Sequence, residues 1–96
     1  MVNKKKAIFF DRDGTLIKTF ISKKNKPLAI KKVKDLKLLK NTKKVVKKLS
    51  SKYKIFVVTN QPDVARGKNL KQNVININNK LKDIMDIDEI YTSFSE

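Results

Sequence analysis

An α/β fold built on a mostly parallel sheet is the architecture this sequence predicts, and three observations carry that prediction. Two apolar runs, "KAIFF" at residues 6–10 and "YKIFVVTN" at residues 53–60, have strand character, and "IDEIYTSF" near the end makes a third. Helical periodicity fills the intervals between them. The order strand, helix, strand, helix, strand then demands parallel pairing through right-handed crossovers.

Each element follows from its residues. "KAIFF" reads as a short buried strand that ends where Asp11 and Asp13 begin, with Gly14 in the loop behind it. The polar stretch at about 17–34, with Pro27 and scattered apolar residues, predicts a small flap or hairpin within one domain of 96 residues. Thr42 is a candidate cap for a first helix, whose apolar stripe is Val45, Val46 and Leu49. Lys43, Lys44, Lys47 and Lys48 fall on its solvated side. "YKIFVVTN" is continuously apolar from Ile55 to Val58, the pattern of a strand covered on both faces. A loop closes around Gly67 to Asn69. Leu70, Val74, Ile77, Leu81 and Ile84 then recur at helical spacing.

Composition narrows the chemistry. The chain lacks cysteine and histidine, which excludes disulfides, thiolate chemistry and imidazole metal sites, so any metal must be held by oxygen. No apolar run reaches membrane-spanning length, and the basic start meets Asp11 after four apolar residues, which makes a poor signal peptide; the expected location is cytoplasmic. The net charge of +15 attracts polyanions without distinguishing them. Only two of the 24 basic residues are arginine, Arg12 and Arg66, and aromatic residues are few, so no specific nucleic-acid partner is expected.

In a parallel α/β sheet, ligands gather at the carboxyl ends of the strands. That rule brings Asp11 and Asp13 behind the first strand together with Thr59 and Asn60 behind the second. Two carboxylates at this spacing suit phosphoryl transfer: one attacks phosphorus, the other protonates the leaving oxygen and later takes a proton from water. Mg²⁺ would screen their repulsion, with Asp11 offering a carboxylate oxygen and Asp13 its backbone carbonyl. Thr59 can donate to a phosphoryl oxygen, and backbone N–H groups near Gly14 can cradle an anion. Asp and Gly are also ordinary turn residues, so a bare DxD carries little weight until "VVTNQ" joins it. Arg66 can grip a phosphate or sugar hydroxyls with two donors or make a structural salt bridge. Arg12 is expected to point away from the two carboxylates.

"DRDGTL" at 11–16 and "VVTNQPDVARG" at 57–67 resemble the first two motifs of the haloacid-dehalogenase-like (HAD-like) phosphatases of subfamily IIIA, the small-cap branch with heptose bisphosphate and histidinol-phosphate phosphatases. The resemblance covers nearly the whole chain. It implies a doubly wound three-layer fold, Asp11 as nucleophile through an aspartyl-phosphate intermediate, and Asp13 as general acid and base. It also implies Thr59 as phosphate binder, Asn60 and Arg66 as substrate-organising residues, and Mg²⁺ at Asp11 and Asp13. The implied substrate is a small phosphorylated sugar. D-glycero-D-manno-heptose 1,7-bisphosphate is favoured by "NQPDVARG", with histidinol phosphate as the alternative. Pro62-Asp63 and Lys40-Asn41 depart from the Ser-Gly and Pro-Gly frequent in heptose-type relatives.

The family continues past the third strand with a phosphate-binding Lys or Arg, a "GDxxxD"-like acidic motif and often a Cys/His zinc loop, whereas only "YTSFSE" follows Ile90. The expectation is therefore the amino-terminal part of a HAD-like domain, a partial doubly wound fold missing its carboxyl-terminal strands. Its first strand is an exposed edge open to self-association, and turnover by the 96 residues alone is little or none. A non-catalytic phospholigand-binding remnant and a basic nucleic-acid binder are the competing readings.

Overall fold

The computed structural model describes residues 6–21, 27–28 and 30–95. Strand β1 (Lys6–Asp11) leads through a turn to the short β2 (Phe20–Ile21) and β3 (Pro27–Leu28) and a 3₁₀ turn at Val33–Asp35. Helix α1 (Thr42–Ser50), β4 (Tyr53–Asn60), the short α2 (Pro62–Ala65), α3 (Lys71–Ile84) and β5 (Glu89–Ser93) follow. The main sheet has the order β1-β4-β5, all parallel. Its register aligns Asp11 with Val58, and Thr59 with Thr92, so the strand ends and their polar residues share one edge. In the stretch expected to form a flap, β2 pairs antiparallel with β3; residues 22–26 and 29 of that stretch lie outside the described residues.

Both crossovers step in the same direction across the sheet. Right-handedness therefore puts α1 and α3 on the same face. That face holds the core: Ile55, Val57, Val46, Ile77 and Leu81 are fully buried with Leu16 and Ile17 from the turn behind β1. Ile8, Phe10 and Ile90 pack against them. The opposite face presents Phe9, Phe56 and Tyr91 as a tilted aromatic row, with ring centroids 5.2 and 5.8 Å apart. Phe9 is 60% and Tyr91 54% exposed.

This one-sided cover corrects two expectations. β1 is not a buried strand but alternates between exposed and half-buried positions. β4 likewise buries Ile55 and Val57 while leaving Phe56 and Val58 half-buried. Strand residues alternate faces, so an uninterrupted apolar run is fully covered only when layers lie on both sides.

The helices differ in detail from their sequence reading. Thr42 is the first helical residue rather than the cap; the cap is Asn41, in the left-handed region at φ 66°, which asparagine tolerates better than most residues. Of the expected stripe only Val46 is buried, with Val45 turned outward. On α3, Val74, Ile77 and Leu81 are buried, whereas Leu70 lies before the helix and is exposed. The segment Pro62–Ala65, ahead of the loop at Gly67 to Asn69, forms a single helical turn with Pro62 at its start, where a missing N–H costs nothing.

Candidate active site

Asp11 ends β1 on the open face, following Phe9 by two residues, and its side chain is exposed. It lines a cavity of 470 Å³ with Val58, Thr59, Asn60 and, from β5, Tyr91, Thr92 and Ser93. The loop behind β4 is tied to the end of β5 by the Gln61 N–H donating to the Ser93 carbonyl at 2.7 Å. The predicted residues Asp11, Thr59 and Asn60 therefore converge on one opening at the carboxyl edge of the sheet.

Asp13 stands one hydrogen bond behind that opening. Its Oδ2 accepts from Gln61 Nε2 at 2.6 Å and from the Thr59 hydroxyl at 3.4 Å. Gln61 Nε2 also donates to Thr59 Oγ1 at 2.7 Å, so Thr59 couples the cavity to the second carboxylate. Gln61 is 2% exposed and was not among the predicted site residues, although it stands inside the "VVTNQ" segment.

Arg12 does not point away. Its side chain is fully buried, and its Nε and Nη2 donate to the two Asp13 carboxylate oxygens at 3.2 Å each. The cause is alternation: Asp11 faces the open side, so the next residue turns toward the covered side, where an unpaired charge is not tolerated. Asp13 supplies the opposite charge, and Arg12 Nη1 donates to Asn78 Oδ1 on α3 at 3.0 Å.

The turn is closed by the Gly14 N–H donating to the Ile17 carbonyl at 2.9 Å and by Leu16 and Ile17 donating back to the Arg12 carbonyl. Gly14 adopts φ +80° with open space where a Cβ would sit, so its requirement is backbone conformation rather than crowding. Its own N–H is engaged within the turn by the Ile17 carbonyl. Arg66 caps α2 and pairs with Asp63 at 3.6 Å; it is not among the residues lining the Asp11 cavity.

Any metal here meets oxygen donors alone. Among the described residues no three acidic, His or Cys side chains gather at one point. Mg²⁺ keeps several waters and binds through one or two carboxylates plus a substrate phosphate, and the exposed Asp11 carboxylate at the cavity is a donor of that kind.

A parallel sheet with an aspartate at the end of its first strand, a second aspartate two residues on and a threonine at the end of the neighbouring strand is a HAD-like architecture. The chain belongs to the family described as polynucleotide kinase 3 phosphatase, which it matches over residues 6–94. Among solved structures it is similar to D,D-heptose 1,7-bisphosphate phosphatase from B. bronchiseptica, complexed with magnesium and phosphate. The TM-score is 0.73 and the identity 21%, over 95% of this chain and 51% of that one. The chain thus spans about half the length of that neighbour. No curated protein matches it in sequence.

Proposed function

We propose that this chain carries the nucleophile half of a Mg²⁺-dependent phosphomonoesterase site. The carrying observation is the convergence of Asp11, Thr59 and Asn60 on one cavity at the carboxyl ends of parallel strands, with Asp13 hydrogen-bonded to Thr59 behind it. A carboxylate oxygen of Asp11 attacks phosphorus and the ester P–O bond breaks. For this step Asp13 carries a proton, its ion pair with Arg12 becoming a neutral hydrogen bond, and it gives that proton to the departing oxygen. Water, deprotonated by Asp13, then attacks the phosphorus of the aspartyl-phosphate, releasing phosphate and restoring Asp11. Thr59 and Asn60 orient the phosphoryl group. When bound at Asp11 and the Asp13 carbonyl, Mg²⁺ neutralises phosphoryl charge. Arg66, paired with Asp63 in the turn behind β4, meets the distal part of the substrate.

D-glycero-D-manno-heptose 1,7-bisphosphate is the substrate we favour, supported by the "NQPDVARG" segment and by the named neighbour. Histidinol phosphate is the alternative within the same chemistry. A 3′-phosphorylated polynucleotide end is a second reading, favoured by the family description and by the net charge of +15. With Asp11 as the one carboxylate lining the cavity among the described residues, turnover is expected to be slow, so the test is phosphate release at high protein concentration. The expected result is Mg²⁺-dependent release, fastest from the heptose bisphosphate and lowered about a hundredfold or more by Asp11→Asn. Release unchanged by that substitution contradicts the mechanism. Faster release from a 3′-phosphorylated oligonucleotide overturns the sugar assignment alone.

A further inference from the structure

We infer that Asn78 is a positioning residue for Asp13, acting through Arg12; the inference rests on the reading of Asp13 as proton donor. Asn78 lies on α3 between Val74 and Leu81, at four residues from one and three from the other, and both are fully buried. An amide at that point of a helix sits at the margin of its buried face, and Asn78 is half-buried, close enough to the sheet to reach both β5 and the turn behind β1. Both ends of the amide are engaged. Its Oδ1 accepts from Arg12 Nη1 at 3.0 Å, and its Nδ2 donates to the Thr92 hydroxyl on β5 at 3.0 Å.

A guanidinium is planar and its donors form a rigid fork. Fixing Nη1 therefore fixes the direction of Nε and Nη2, which hold both oxygens of Asp13. Gln61 and Thr59 reach Oδ2, whereas Arg12 sets the plane of the whole carboxylate. The orientation of Asp13 is thus transmitted from α3 and β5, elements of the core, into a turn that would otherwise set it alone. A general acid has to lie within hydrogen-bond reach of the leaving oxygen, so a small rotation of that plane removes proton delivery without unfolding the protein.

The test uses the full chain and two readouts. It contains only two arginines, so ¹⁵N-arginine labelling gives one Nε–H signal from Arg12 and one from Arg66. The Arg12 signal is expected to exchange with solvent far more slowly than that of Arg66. Asn78→Leu is expected to accelerate the Arg12 exchange about tenfold or more while Arg66 stays unchanged. Thr92→Val, which removes only the outer anchor, acts in the same direction and replaces Asn78→Leu if that variant does not fold. The second readout compares phosphate release from an alkyl ester, glycerol 2-phosphate, with release from p-nitrophenyl phosphate, whose leaving group departs without a proton. Asn78→Leu is expected to lower the alkyl rate about tenfold relative to the aryl rate. Unchanged Arg12 exchange in the folded variant, or equal losses on both esters, overturns the inference. If the wild-type chain releases phosphate from neither ester, the reading that these 96 residues turn over alone falls, and Asn78 control of Arg12 exchange still decides the positional coupling.

Discussion

Among the described residues Arg12 is the only charged side chain with full burial, and its neutraliser is the adjacent residue in sequence. A buried guanidinium without its carboxylate is costly, so the pair couples stability to the same group proposed for proton transfer. Asp13→Asn is expected to lower unfolding free energy by roughly 3–5 kcal/mol, read by urea denaturation, because it leaves the Arg12 charge uncompensated. By contrast Asp11→Asn, at an exposed strand end, is expected to change stability by only about 0.5 kcal/mol or less. At this scale Asp11, Thr59 and Asn60 were legible because strand ends in a parallel sheet converge, and type and position were enough. Arg12 and Asn78 were not read as a pair, since they stand 66 residues apart and only the packing of α3 joins them. A signal for Asn78 was nonetheless present: an amide interrupting the stripe of Val74, Ile77 and Leu81 at a position where the helix turns inward.

The elements divide the sheet into two faces with opposite consequences. On the covered face Ile55 and Val57 lie under α1 and α3; on the other, Phe9, Phe56 and Tyr91 form a row against water. Ile55→Ala is expected to cost about 2–5 kcal/mol because it leaves a cavity in the core. Phe9→Ser, on the face opposite α1 and α3, is expected to cost less than about 1 kcal/mol and to raise solubility by breaking the exposed aromatic row. Similar losses for the two would contradict the one-sided packing. The order and type of the three main strands and the two longer helices were legible from periodicity. Their burial was not, because an apolar run states what could be covered and only the crossover direction states which face is. Asn41 was noted only as part of a departure from Pro-Gly and not as the cap, since its left-handed backbone is set by how the chain enters α1.

For the whole molecule, the net charge of +15 acts on every partner before the site does. Binding to an unphosphorylated oligonucleotide is expected to be independent of sequence and to weaken steeply with salt, and to be the same for wild type and Asp11→Asn. Titrations at low and moderate ionic strength check this. Binding that persists at high salt and selects a sequence would instead support the nucleic-acid reading. Among the described residues no helix is long and apolar enough to cross a membrane. The fold was readable at this scale from the alternation of strands and helices, while substrate identity was not, because Arg66 and Asp63 report a local ion pair rather than the ligand they would meet.

The claim on which the rest depends is that Asp11 accepts a phosphoryl group, and the most direct measurement is the intact and peptide mass of the protein quenched in acid after incubation with Mg²⁺ and p-nitrophenyl phosphate. The account predicts one added phosphoryl group, carried by the peptide containing Asp11 and lost on treatment with hydroxylamine. No adduct at Asp11, or the same adduct on the Asp11→Asn protein, would contradict it.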